Sequence, residues 1–327
     1  MKIKLLKTTA ITCGVLLALS SGLSSAQARE LRLGHGMPED NAQNIGLMAF
    51  ADEVKKLSNG DLTVTIYPNS QLRTERELAE QVVTGALDMC KISGSLSETF
   101  EPKYSVMSLP YLFRGYDHAK KFIQSDLPEK YLFQASEGRG LIGVMLIGAG
   151  TRNFYATKPI AKPEDLDGLK MRVPESELAM TMVKALGGQP TPIPWSEIYS
   201  ALQQKVVDGA ENSISAYVEQ RHCEVDKYYS LDEHTMTPDV VFMSDLTWET
   251  LTDEEKDIVK KAAKKGIEVE LATWDKNDAI NMQKAKDMGT VFVQADKEAF
   301  RAKTAFMIEE ARKKEGYSEL IDAILAL

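Results

Sequence analysis

Apolar positions along this chain follow two spacings, which divide it into alternating strands and helices. Leu31 and Leu33 form a short first strand, a helical period follows from Asn41 to Leu57, and Leu62, Val64 and Ile66 alternate up to Pro68, which predicts a right-handed βαβ opening. Asn59-Gly60 stops the helix. Thr74 with Glu77 makes a capping box for a second helix that runs to Thr84 before Gly85, and residues 87–92 read as a third strand. The block from Leu109 to Phe113 is read as packing. Residues 141–147 are continuously apolar, as in a sheet covered on both faces. Beyond them the spacing predicts helices over 175–186 and 196–204, separated by a proline-rich connection from Pro190 to Pro194. Residues 240–243 read as a strand returning to the first half. Thr252 with Glu255 then opens a helical pattern that lasts to Gly289, about 55 Å if it is one helix and long enough to lie across two lobes. A strand at 291–293 and an amphipathic helix over 296–314 close the chain.

The class is therefore α/β. Lys2, Lys4 and Lys7, an apolar run from Ala10 to Leu19, and Ala26-Gln27-Ala28 predict a secretory signal peptide over 1–28. That run is shorter than the roughly 18 residues a membrane span needs. Losing three lysines leaves 36 basic residues against 48 acidic, a net charge of -12 where the full chain of 327 residues has -9. No basic patch marks a nucleic-acid binder. About 300 remaining residues exceed what one core usually supports and predict two domains. Cys90 and Cys223, the two cysteines left, are expected to be free thiols.

Candidate chemistry concentrates between Gly150 and Asn212. In GLKMRVPES, Leu169, Met171 and Val173 alternate with Lys170 and Arg172, and Pro174 ends the pairing, so Arg172 sits at the end of a short strand. Crevices at strand ends of open α/β sheets bind small ligands, and a guanidinium there offers a planar fork to a carboxylate. Arg152 in GTRNFY and Asn212 in VVDGAENS stand at two further strand ends. The bland alternative is that both arginines pair with acidic neighbours, which are abundant here. Gly148-Ala149-Gly150 lacks the third glycine of a dinucleotide loop, and no P-loop, H-E-x-x-H or G-x-S-x-G occurs. The four histidines, at 35, 118, 222 and 234, are scattered. Neither a metal nor a cofactor is expected.

The pieces PNSQLRTERE, VTGALDM, SLPYLF, GTRNFY, GLKMRVPES and PTPIPWSEIYSALQQKVVDGAEN together resemble the extracytoplasmic substrate-binding proteins of the tripartite ATP-independent periplasmic (TRAP) transporters, the DctP family, over nearly all of the chain after residue 28. The resemblance implies a two-lobed periplasmic binding protein fold, with 29–150 and 239–278 in one lobe and 151–238 and 279–327 in the other. It implies a monomeric, non-enzymatic protein of the periplasm that closes on an organic acid and delivers it to the small and large subunits of a membrane permease driven by a sodium gradient. It places the carboxylate-gripping arginine on Arg172, an assisting arginine on Arg152, the asparagine on Asn212 and a ligand-stacking ring on Trp195. One departure is Gln71-Leu72-Arg73, where the family commonly has Q-L-G beside Glu75 and Arg76.

The stretch from Arg221 to Asp239 is similar to the branch that takes hexuronates, although a tyrosine is more usual at Cys223. A sugar acid needs partners for several hydroxyls, and Glu75, Ser93, His35, Asn153 and Asp239 are the candidates. A C4-dicarboxylate would instead need a second cation, for which Arg76 is the candidate. An enzyme acting on the same acids would need a base, for which His234 or Glu211 is the candidate. A sensor that binds ligand for signalling is the other rival.

Overall fold

The computed structural model describes residues 28–327 other than Ala149. The expected signal peptide lies outside the described residues except for Ala28. Two sheets organise the rest. The first contains β1 (Arg29–Gly34), β2 (Leu62–Tyr67), β3 (Met89–Ile92) and β4 (Leu141–Ile147). The second contains β5 (Asn153–Ala156), β6 (Lys170–Val173), β7 (Gln189–Pro192), β8 (Gly209–Asn212) and β9 (Tyr228–Leu231). β10 (Asp239–Ser244) returns to the first sheet and β11 (Val291–Gln294) completes the second. Their spatial orders are β2-β1-β3-β10-β4 and β11-β9-β5-β8-β6-β7. β10 runs antiparallel between β3 and β4, so the chain crosses between lobes after β4, again after β9, and a third time along a helix.

That helix, Asp253–Asp287, is unbroken over 35 residues, about 50 Å at the standard rise. Thr252 and Glu255 form its capping box. Its first half packs on the helix Ala42–Leu57 of the first lobe so closely that a Cβ on Gly46 would lie 2.5 Å from Glu270 Cβ. Its second half reaches the other lobe, where Asn281 donates to Ser215 Oγ and Glu219 Oε1, both at 3.0 Å. One rigid rod thus touches both lobes.

Three sequence expectations change. The proline-rich connection is the edge strand β7, parallel to β6; an edge position tolerates prolines that cannot donate. The expected helix over 296–314 is two, Lys297–Thr304 and Phe306–Arg312. Thr304 Oγ1 bonds back to the carbonyls of Phe300 and Arg301 at that joint, which bends helices. A third, Tyr317–Leu325, was not foreseen. Although residues 279–327 were expected in the second lobe, this last helix meets the first: His118 Nε2 donates to Ile324 O and Arg114 Nη1 to Leu325 O, both at 2.8 Å. Cys90 and Cys223 are both buried and free. No helix among the described residues is long and apolar enough to cross a membrane.

The crossover after β4 is held by a buried carboxyl. Glu270 Oε2 accepts the Gly148 N–H at 3.1 Å, while Gln43 Nε2 donates to Gly148 O at 2.7 Å, so Gly148 is held through both its N–H and its carbonyl. Burial, reinforced by Asp239 and Asp275 and opposed by the Gly148 bond, pushes Glu270 up to about 8. A carboxyl raised in the folded state contributes stability that is complete below its ordinary value of 4.5 and lost as pH rises through about 8. Glu270→Gln keeps the acceptor and removes the titration. Thermal melts from about pH 5 to about pH 9 should show a smaller fall in Tm for this variant than for wild type, and equal slopes would contradict the assignment.

Candidate functional site

Arg172 occupies the third position of β6, beside Thr191 of β7, and is 3% exposed. Its Nε and Nη2 both donate to Ile193 O, at 2.9 and 2.7 Å. Ile193 lies between Pro192 and Pro194 just beyond β7, and its own N–H is engaged by Val173 O at 3.2 Å. The residue before a proline is held extended, which fixes that carbonyl toward the guanidinium. Nη1 has no partner among the described residues, and no carboxylate there forms a salt bridge with Arg172. Burial pushes Arg172 down to about 10, against the pull of Glu211, so the group is still positive at neutral pH. It is a buried cation without an internal counter-ion.

Arg152 is placed differently. Its Nε and Nη2 form a fork on Glu211, at 2.7 Å to Oε2 and 2.8 Å to Oε1, and only Nη1 reaches toward the cavity side, donating to Asn212 Oδ1 at 3.2 Å. The acidic-partner alternative weighed for both arginines therefore holds for Arg152. Glu211 Oε2 also accepts from His234 Nε2 at 3.2 Å, and His234 Nδ1 donates to Asp232 Oδ2 at 2.5 Å. Burial opposes both charges here. Asp232 and Glu211 nevertheless raise His234 to about 9, and Arg152 together with His234 lowers Glu211 to about 2. Asn212, at the end of β8, accepts the Ser213 N–H at 2.8 Å and keeps its Nδ2 for a further acceptor. The two candidate bases, Glu211 and His234, are locked in this chain and do not line the cavity.

The opposite wall belongs to the first lobe. Glu75 opens the helix Glu75–Val83 behind the Thr74–Glu77 capping box. Lys91 points from β3 with 1% of its side chain exposed, and Asp239 starts β10. Lys91 Nζ lies 2.9 Å from Asp239 Oδ2 and 3.3 Å from Glu75 Oε1. Burial disfavours the ammonium, yet Asp239 and Glu75 outweigh it and raise Lys91 above its ordinary value. Asp239 also accepts from Gln43 Nε2 at 3.0 Å and from Gly94 N–H at 3.2 Å. Ser93 Oγ caps the short helix behind it by accepting from Leu96 N–H at 3.3 Å. Trp195 bridges the two lobes, with Nε1 donating to Gly36 O at 3.4 Å.

Of the nine expected residues, Arg172, Arg152, Asn212, Glu75, Ser93, Trp195 and Asp239 line one cavity of about 40 Å³, room for one small polar molecule. His35 and Asn153 do not line it. His35 Nε2 donates to Asn44 Oδ1 at 3.0 Å and its Nδ1 accepts from Met37 N–H at 3.1 Å; burial first, and then Lys91, lowers it to about 3, leaving a neutral structural imidazole. Asn153 is engaged by Glu233 N–H, Thr151 O and Tyr229 Oη. Arg76, the candidate second cation, forms a salt bridge with Glu175 at 3.0 Å, outside the cavity. Lys91 and Gln43 line the cavity and were missed. For Lys91 a signal existed, since a lysine between Cys90 and Ile92 in a buried strand must have partners. In a wider groove of about 740 Å³ under the long helix, every polar residue along the wall is exposed or half-buried.

Comparison with known proteins agrees with this geometry. Residues 33–314 match the family model DctP, described as bacterial extracellular solute-binding protein, family 7. The chain is 40% identical to the uncharacterized protein YiiZ of Salmonella typhimurium, over 87% of this chain and 88% of that one. It superimposes with a TM-score of 0.89 and 32% identity on a TRAP periplasmic solute-binding protein of a Bradyrhizobium species in complex with α/β-D-galacturonate, covering 91% of this chain and 100% of that one. A TRAP periplasmic solute-binding protein from Anaerococcus prevotii with bound α/β-D-glucuronate gives 0.87 and 31%, covering 90% and 97%. A two-lobed α/β clamp, a buried unpaired guanidinium and a family match over most of its length make one conclusion: this chain belongs to the DctP family of TRAP transporter solute-binding proteins, which bind substrates for transport and are not enzymes.

Proposed function

We propose that the chain captures a sugar acid, a hexuronate such as glucuronate or galacturonate, in the periplasm and delivers it to the small and large membrane subunits of a TRAP permease. The observation that carries this reading is the charge of Arg172, buried and lacking an internal carboxylate. A buried charge is costly until it is paired, and an organic anion between the lobes supplies the missing partner. Arg152 Nη1 and Asn212 Nδ2 stand beside it as further donors. The ligands of the galacturonate and glucuronate complexes support the sugar-acid class. A C4-dicarboxylate is the second reading, and it needs a cation at the far end of the cavity. Arg76 is engaged outside by Glu175, and Lys91 is engaged by two carboxylates.

Two outcomes test the proposal. Arg172→Ala should fold as wild type does and lose D-glucuronate binding by at least about 30-fold in calorimetry, the loss of one buried charge-assisted contact. Retention within about threefold would reject the role given to Arg172. Glu211→Gln should act first on stability, because it leaves Arg152 and His234 without their shared carboxylate. Urea denaturation is expected to show a loss on the order of 3–5 kcal/mol, and a loss below about 1 kcal/mol would contradict the ion-pair chain.

A further inference from the structure

We infer that Glu75, Lys91 and Asp239 form the selective wall of the cavity, which accepts a neutral hydroxyl and turns away a second carboxylate. This inference rests on the reading of the site as one for a sugar acid. It follows from counting charges and hydrogen-bonding atoms. One ammonium faces two carboxylates, so this wall is net negative, while the wall it faces carries the cation of Arg172. The cavity is therefore polarised from one lobe's wall to the other.

The free hydrogen-bonding capacity points the same way. Lys91 has three N–H groups, of which Asp239 and Glu75 take two. Asp239 Oδ2 receives both Lys91 and Gln43, and Oδ1 receives the Gly94 amide. Glu75 Oε2 has no donor among the described residues, and the Ser93 hydroxyl keeps its proton because its oxygen serves as the helix cap. What remains is an anionic acceptor on Glu75 next to two donors, on Ser93 and Lys91. A hydroxyl donates and accepts at once and satisfies such a set. A carboxylate only accepts, and it would meet Glu75 as a like charge. Reaching Lys91 would require displacing a carboxylate the lysine already holds.

The decisive comparison is D-glucuronate, a cyclic hemiacetal in solution, with D-glucarate, an open-chain acid with a second carboxylate at the carbon remote from the first; the change of their ratio in charge-removing variants separates the carboxylate from the ring. Calorimetry on the wild type should show glucuronate preferred by at least about 100-fold, the scale expected when a site built for a hydroxyl meets a group that leaves its polar atoms unpaired. Glu75→Gln and Asp239→Asn each remove one negative charge and keep the side-chain shape. Each should shrink that preference at least about tenfold by improving glucarate relative to glucuronate, a change that mere loss of structure does not produce. Thermal melts establish that the variants are folded, and either variant alone suffices for the test. The inference is overturned if the wild type binds glucuronate and glucarate within about threefold, or if a folded variant keeps the wild-type ratio. A wild type that binds neither D-glucuronate nor D-galacturonate overturns the sugar-acid reading itself, a result distinct from loss of selectivity.

Discussion

The arrangement depends on one unbalanced charge. Arg172 is withdrawn from water at the end of β6, and its only acceptor among the described residues is the carbonyl of Ile193. One neutral carbonyl satisfies two N–H groups but does not neutralise the guanidinium, and the net penalty of a buried unpaired ion is several kcal/mol. The fold tolerates this because β6 is braced by β7 on one side and β8 on the other, and because Pro192 and Pro194 hold Ile193 in place. The strain is electrostatic, and an anion relieves it. On the proposed reading, affinity for a carboxylate is in this sense prepared before the ligand arrives.

The second arginine shows what the same side chain does when the chain supplies its partner. Arg152, Glu211, His234 and Asp232 alternate in sign and are all buried. The chain ties the segment after β4 to the end of β8 and to the return after β9, three places where the polypeptide passes through the second lobe. Arg152 is thereby a fixed donor with one edge turned to Asn212 and the cavity. Its charge is neutralised by Glu211, whereas on the proposed reading Arg172 supplies most of the attraction for an anion. Two arginines that look alike in the sequence thus divide attraction and positioning between them.

Arg172 was legible because its surroundings are local. Alternation in Leu169, Met171 and Val173, closed by Pro174, is enough to put the side chain at a strand end. His35 and Asn153 misled for the opposite reason: each follows a strand or begins one near the cleft, but Asn44, Tyr229 and Glu233, distant or unmarked in sequence, absorb their polar atoms. Lys91 was hidden by the apolar run around it, and its partners lie 16 and 148 positions away. Glu270 was hidden by a helix rich in acidic and basic residues, where one more carboxylate carries no mark of burial. The capping boxes at Thr74 and Thr252 and the length of the long helix needed no distant contact to be read. The helix Tyr317–Leu325 follows a break at Gly316, whose φ is +73°, and its amphipathic stretch is brief.

Charge also explains why closure and binding belong together. The contacts that join the lobes around the cavity are modest: Arg76 with Glu175 at 3.0 Å, Asn41 with Glu219 at 2.5 Å, and Trp195 with Gly36 at 3.4 Å. The Arg76–Glu175 pair is partly exposed, and such pairs contribute about 0–1 kcal/mol. Against them, Arg172 is buried with Arg152 as a like charge nearby, and the proximity of Arg152 adds to the lowering of Arg172. An anion reverses that term. A ligand shifts an equilibrium only by its difference in affinity for the two states. On the proposed reading most of that difference resides in one guanidinium, and the long helix, bonded to the Gly148 N–H through Glu270, holds the crossover after β4.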